Sequence, residues 1–380
     1  MEEQARETSL ARLVNEIFIE AINKRASDIF IEPLDNELRV RFRIDGLLTK
    51  FSSFSLNLAS RIVSRLKVIS SLDIAEHRLP QDGRFKLILP DKEVDFRLSV
   101  MPSRLGEKAV LRVLDKGKGI LEIERLGLDT HSLEVLKGNL HKPYGMILVC
   151  GPTGCGKTTT LYACLKFIDR IEKNIITVED PIEYQLFGIN QVAINEEIGL
   201  NFATVLRSIL RQDPNVILVG EMRDTETAEI SVQAALTGHL VLSTLHTTTA
   251  TGALTRLINM GVEPYLISSS CLLISSQVLV RLLCPECKQV FSISGQPQPV
   301  YRAKGCKLCN QIGYLGRTAV METLPLTIGI KSLIEQGASE VEIRKKACAE
   351  GMISLRQNAM ELALKGITSL EEAARVTPTD

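Results

Sequence analysis

Apolar positions in the first third of the chain recur every second residue, in short runs. Leu38, Val40, Phe42 and Ile44 alternate with polar neighbours and share one strand face, and Asp45-Gly46 closes the run as a turn. GRFKLILP and KEVDFRLSVMP repeat the pattern on either side of Pro90-Asp91, and a further strand is predicted at 108–114. Helical spacing covers only 8–25 and 57–70, so residues 1–115 read as a small α+β domain. The Gly-rich, charged stretch that follows reads as a linker at 116–126.

From about residue 127 the period changes to short continuous apolar runs alternating with helical segments. MILVC (146–150), NIITVED (174–180), NVILVG (215–220) and HLVLSTLH (239–246) are the strand candidates of a largely parallel, three-layer α/β core over 127–280. LISSSCLLISSQVLVRLL at 266–283 is the most apolar stretch. Its serines and Arg281 argue against a membrane span, and it is predicted to be a buried helix. A cysteine-bearing module at 281–320 precedes a helical region at 321–380, where Thr368/Glu371 or Ser369/Glu372 have capping-box spacing.

Composition narrows the class. At 380 residues and 45% hydrophobic, the chain can bury two cores. Its 45 basic and 45 acidic residues cancel, which gives no support for a polybasic nucleic-acid or membrane surface. The acidic start MEEQARETSL lacks the features of a signal peptide. Nine cysteines, an odd number scattered through apolar segments, suit reduced thiols in a cytosol.

The sharpest chemical signal is Gly151-Pro152-Thr153-Gly154-Cys155-Gly156-Lys157-Thr158, with Thr159 next, lying between a predicted strand and a predicted helix. It matches the phosphate-binding loop in full: backbone N–H groups cradle phosphates, Lys157 reaches the β- and γ-phosphates, and the Thr158 hydroxyl ligates Mg²⁺. Glu221 ends the apolar strand NVILVGE, the position of a carboxylate that holds Mg²⁺ or orients the attacking water. In VEDPIEY, Pro181 ends a strand and presents Glu179, Asp180 and Glu183 at the sheet's carboxyl edge, where open α/β sheets bind ligands. His239 and His246 bracket the last strand, and His246, at its carboxyl end, is the better candidate for sensing the γ-phosphate. In the first domain, Arg78, Arg84, Arg97, Arg104 and Arg112 are either solvated or poised to clamp phosphates.

Cys284-Pro-Glu-Cys287 and Cys306-Lys-Leu-Cys309 form two C-x2-C pairs that can converge on one structural Zn²⁺. An iron–sulfur cluster, metal-free cysteines and an inter-pair disulfide are the alternatives. Four thiolates on one Zn²⁺ leave a negative site, and Arg281, Lys288, Arg302, Lys304 and Lys307 are close enough in sequence to offset it.

Taken in order, RASDIFIEP, RLPQDGR, GPTGCGKTTTLYA, ITVEDPIEY, LRQDPNVILVGEMRD, TGHLVLSTLHT, CPEC with CKLC, and GITSLEEAARVT resemble the ATPases of type II secretion and type IV pilus assembly. The resemblance covers essentially everything from about residue 12 onward. It implies a P-loop, RecA-like core with a smaller α+β amino-terminal domain, a four-cysteine zinc module and a helical carboxy-terminal region. It further implies a cytoplasmic homo-hexamer at the inner membrane, attached through platform proteins, with ATP as substrate, Mg²⁺ as cofactor and no direct nucleic-acid partner. By the same resemblance Glu183 activates water, with Glu179 the second choice. Glu221 lies near Mg²⁺, His239 and His246 form a histidine box, and Arg97 and Arg112 approach the phosphates. The four-cysteine insertion is similar to the assembly and secretion branch rather than the retraction branch. Three features depart from the family pattern: Phe30 stands where His is usual, Cys155 where serine is usual, and the chain begins at the second domain of longer relatives. Cys155 is expected to be a partly exposed, oxidisable thiol. A nucleic-acid-translocating ATPase and a non-enzymatic nucleotide-dependent scaffold are the competing readings.

Overall fold

The computed structural model describes residues 2–115, 121–168, 171–292 and 299–378, so part of the expected linker, 116–120, lies outside the described residues. The chain divides into two compact units, Met1–Gly119 and Ile120–Asp380.

The first unit contains α1 (Glu2–Asn23), β1 (Ala26–Pro33), β2 (Leu38–Ile44), β3 (Leu47–Phe54), α2 (Ala59–Ile69), β4 (Gln81–Ile88), β5 (Glu93–Ser103) and β6 (Gly106–Asp115). Its strands form one antiparallel sheet in the order β3-β2-β1-β6-β5-β4. The alternation in β2 has the predicted sense, with Leu38, Val40, Phe42 and Ile44 all buried. Asp45 and Gly46 both take positive φ, 48° and 88°, the conformation that a two-residue hairpin between right-twisted strands requires. Helix α1 lays Phe18 against Phe85 and Phe96, with ring centroids 5.4 and 5.1 Å apart.

The second unit contains α3 (Thr130–Leu140), β7 (Gly145–Cys150), α4 (Lys157–Phe167), β8 (Ile175–Glu179), β9 (Asn190–Ala193), α5 (Phe202–Ile209), β10 (Val216–Val219), α6 (Thr225–Leu236) and β11 (Leu240–Leu245). It continues with α7 (Ala250–Asn259), α8 (Pro264–Ser270), β12 (Cys271–Leu283), β13 (Gln289–Phe291), β14 (Val300–Arg302), β15 (Tyr314–Pro325), α9 (Ile328–Glu335), α10 (Glu340–Ala349), α11 (Leu355–Leu364) and α12 (Leu370–Val376). The central sheet runs β15-β12-β7-β11-β10-β8-β9 and is parallel except for β15. Apolar cores lie on both faces. One uses Leu161, Leu165, Leu136 and Leu140 of α3 and α4, and the other uses Leu206, Ala228, Leu254 and Ile330 from α5, α6, α7 and α9. This is the three-layer arrangement that the strand–helix alternation predicts.

The predicted buried helix at 266–283 is overturned. Only Pro264–Ser270 is helical, and Cys271–Leu283 is the longest strand of the sheet. Paired by β15 along its length and by β7 over Cys271–Ser276, and covered on both faces by the helix layers, β12 is buried along nearly its whole length, so it lacks the polar alternation of a half-exposed strand. Its polar residues are bonded rather than solvated: Ser276 Oγ donates to the Thr248 carbonyl at 2.9 Å, and Ser275 Oγ lies 3.2 Å from Thr323 Oγ1.

At the carboxy terminus Ser369 caps α12 by accepting from the Glu372 N–H at 3.1 Å. Glu372 does not close a capping box. Its carboxylate turns to Arg281 and Arg375, both 2.7 Å away, and so joins α12 to β12. No described helix is long and apolar enough to cross a membrane.

Candidate active site

Strand β7 ends at Cys150 and the phosphate loop begins at once. Gly151, Gly154 and Gly156 have φ of 144°, 79° and 91°, values that L side chains rarely adopt. At Gly151 there is no room either, since a Cβ would lie 2.3 Å from the Gln277 carbonyl oxygen. Helix α4 starts at Lys157, with Thr158 and Thr159 in its first turn. Its positive dipole end and inward N–H groups form an anion cradle. The Lys157 ammonium is held close by, donating to the carbonyls of Gly151 at 2.7 Å and Pro152 at 3.2 Å, with His246 Nδ1 at 3.5 Å. Cys155 does not meet its expectation of partial exposure. It is buried, and burial raises its thiol pKa despite the nearby Lys157 charge, which leaves it a poor nucleophile.

The order β7-β11-β10-β8 places the candidate residues side by side at the carboxyl ends of adjacent strands. His246 follows β11, with Nε2 3.3 Å from Glu221 Oε2. Glu221, just beyond β10, also bonds the guanidinium of Arg223, which reaches Asp180 after β8 at 3.6 Å. A continuous polar line therefore runs from Lys157 through His246, Glu221 and Arg223 to Asp180. His239 is not part of it. Its carbonyl accepts from the N–H of Gly145, the first residue of β7, and its Nδ1 lies 3.0 Å from the Ala234 carbonyl, so it sits at the opposite edge of the sheet.

The two candidate bases are placed differently. Glu179 is 3% exposed and fully engaged, accepting from the Tyr162 hydroxyl, from Thr177 Oγ1 at 2.6 Å and from Gln191 Nε2 at 3.1 Å. This carboxylate braces α4 against β8. Burial and the adjacent Glu179 charge raise the Tyr162 hydroxyl, which therefore stays a donor. Glu183 lies half-buried beyond the Asp180-Pro181 turn, its N–H directed at the Tyr162 oxygen.

The four cysteines converge. All four Sγ atoms lie within 4.8 Å of one another, with Cys284–Cys306 and Cys287–Cys309 at 3.8 Å and Cys306–Cys309 at 3.7 Å. A tetrahedral ion with metal–sulfur bonds of about 2.3 Å requires sulfur–sulfur edges of about 3.8 Å, so the cluster fits a metal ion. Burial would raise the Cys309 thiol, but N–H groups of Cys306 (3.1 Å) and Gly313 (3.1 Å) bring it down to about 7. Three of the five basic residues expected to offset the thiolates are engaged elsewhere. Arg281 pairs with Glu372, Lys288 donates to the Gly366 carbonyl at 2.9 Å, and Arg302 pairs with Glu371 at 3.4 Å.

Comparison with known proteins bears on this site directly. A family model described as Type II/IV secretion system protein matches residues 3–375. The chain belongs to that family. It is 48% identical to the type IV pilus assembly ATPase PilB of Myxococcus xanthus over 395 residues, covering 100% of this chain and 70% of that protein. It is equally 48% identical to the type II secretion system ATPase E of Vibrio cholerae, covering 97% of this chain and 75% of the relative. Among solved structures it is similar to the pilus retraction motor PilT with bound ADP, at 29% identity, a TM-score of 0.65 and 96% coverage of each chain. The ATPase DotB of Yersinia pseudotuberculosis, 22% identical with a TM-score of 0.75 over 97% of this chain and 93% of that one, shares the fold.

Within this member of the secretion ATPase family, strand register sorts the five arginines of the first unit. Arg84 pairs with Arg97 across β4 and β5, and Arg97 with Arg112 across β5 and β6, so the three form one row on one sheet face. Asp28 of β1 continues the row beside Arg112, at 3.6 Å. Guanidiniums directly opposite one another repel, and the Asp28 carboxylate at the end of the row offsets part of that charge. Arg78 is instead held by Glu76 at 2.8 Å, and Arg104 falls in the turn between β5 and β6. Sequence reasoning missed Arg223 and Gln277 as members of the site. Arg223 stands two residues beyond Glu221 in a run already singled out, and the polar SSQ inside the apolar stretch was the available signal for Gln277.

Proposed function

We propose that this chain is an ATP-hydrolysing motor subunit that powers pilus or pseudopilus assembly. The observation that supports this most is the polar line Lys157–His246–Glu221–Arg223–Asp180 beside a complete phosphate loop. The loop and Lys157 bind the ATP phosphates. Glu183 takes the proton of the attacking water as the water oxygen bonds the γ-phosphorus and the β–γ bridging oxygen leaves with ADP. Glu179, saturated by its neighbours, positions α4 and takes no proton. Thr158 and Glu221 offer the oxygen donors that Mg²⁺ prefers, and the ion would supply charge neutralisation at the phosphates. Arg97 and Arg112 add positive charge from the first unit. His246 links the lysine to Glu221 and reports the phosphate end of the site to β11. The four-cysteine cluster holds a structural Zn²⁺, since four closed thiolates leave no ligand position for catalysis.

The motor works as a homo-hexamer at the cytoplasmic face of the inner membrane, attached through platform proteins and without direct nucleic-acid contact. Phosphate release measured against protein concentration, with mass by light scattering on the same samples, tests this reading. Specific activity that rises as a hexamer forms is the expected result. A stable monomer with flat activity overturns the ring, and no release at any concentration overturns the motor.

A further inference from the structure

Gln277 belongs to β12 and to none of the nucleotide motifs, yet its side chain lies at the centre of the phosphate loop's outer wall. It is 2% exposed. Nε2 donates to the Cys155 carbonyl at 2.6 Å, and Oε1 accepts from the Thr160 hydroxyl of α4 at 2.7 Å. Its backbone carbonyl fills the space that a side chain at Gly151 would need, and Nε2 lies 3.0 Å from where a Cβ of Gly156 would stand.

A loop that turns its N–H groups inward to an anion turns carbonyls outward. In this chain the outward carbonyl of Cys155 meets a packed strand instead of water, and it needs a donor. Because a trans peptide is planar, fixing the Cys155 carbonyl toward β12 also fixes the Gly156 N–H away from β12, toward the interior of the loop. The second bond, to Thr160, lies one turn into α4, whose backbone N–H donates to the Gly156 carbonyl at 3.0 Å. One buried amide thus sets the orientation of a loop peptide and the start of the helix.

We propose that Gln277 is a positioning residue for nucleotide binding, acting through the Cys155–Gly156 peptide without touching the nucleotide. The proposal rests on the ATP reading above. A purely structural role would have the amide do no more than satisfy the Thr160 hydroxyl. Thr160→Val removes that hydroxyl at constant shape, so Gln277→Leu placed in a Thr160→Val background leaves only the Cys155 carbonyl without its donor.

The experiment compares wild type, Thr160→Val, and the pair Gln277→Leu with Thr160→Val in Mg·ATP binding, kcat, KM and melting temperature. The isosteric Gln277→Glu, which keeps the acceptor for Thr160 but sets an oxygen against the Cys155 carbonyl, serves as a second variant. The expected result is Mg·ATP binding and KM weaker by roughly ten-fold or more with kcat less affected, beyond the drop in melting temperature of a few degrees that one unsatisfied buried carbonyl accounts for. Binding as tight as in Thr160→Val, or a loss that merely follows the melting temperature, overturns the proposal and leaves the ATP reading intact. A folded wild-type chain that neither binds nor hydrolyses ATP overturns both.

Discussion

Replacing Glu372 with glutamine tests how the last helix is held to the sheet. The carboxylate is fully buried and accepts four N–H bonds: from Arg281 Nη2 at 2.7 Å, the Arg281 backbone at 3.1 Å, Arg375 Nε at 2.8 Å and Arg375 Nη2 at 2.7 Å. Burial alone would raise its pKa, but the Arg375 and Arg281 guanidiniums outweigh it and bring the group down to about 2 from an ordinary 4.5. A shift of that size corresponds to about 3 kcal/mol favouring the ionised form. Breaking a buried ion pair costs about 3–5 kcal/mol when the partner charge is left behind, as Arg281 would be. Spread over a unit of about 260 residues, a loss of about 3 kcal/mol lowers the melting temperature by roughly 5 °C at pH 7.

The sign of the pH dependence follows from a depressed folded-state pKa. The contribution is complete above about 4.5 and is lost as pH falls toward 2. Thermal denaturation of wild type and Glu372→Gln at pH 7 and at pH 3 should therefore show a gap that narrows in acid. An equal gap at both pH values, or none at neutral pH, refutes the argument.

Three further outcomes follow from the site. Glu183→Gln should reduce kcat by roughly 10²–10⁴ with an unchanged melting temperature, whereas Glu179→Gln should lower stability through its Tyr162 and Thr177 partners; substantial turnover in the Glu183 variant removes it as the base. Elemental analysis should find one zinc per chain, lost in Cys309→Ser, and a visible charge-transfer band from iron would reject the zinc assignment. Arg97→Ala and Arg112→Ala should each depress turnover in a folded protein, and wild-type rates would separate the arginine row from catalysis.

Much of this was legible from residue order because local rules and tertiary packing agree. The β2 alternation and Asp45-Gly46 turn needed only a period of two and a residue pair that tolerates positive φ. The phosphate loop and the cysteine pairs carry their chemistry in their spacing. What escaped depends on neighbours that the sequence does not show. β12 is buried on both faces because helices pack on each side of the sheet, and a run buried on both faces has no period to separate strand from helix. Glu372 carries a capping-box spacing, yet the partner that claims it lies 91 residues away. The row of Arg84, Arg97 and Arg112 exists only through strand register. The preference for His246 over His239, by contrast, was legible, because only the carboxyl end of their strand meets the phosphate loop.

One strand, β12, carries Gln277 against the phosphate loop and ends beside Cys284 of the metal cluster. Seven residues of extended chain separate the two, or roughly 23 Å, and pairing with β15 from Gln277 to Leu283 resists stretching of that length. Loop and cluster are thus the two ends of a strut. Whatever displacement accompanies nucleotide turnover must carry both together, and spectroscopic labels placed at its two ends should report a constant separation throughout the cycle.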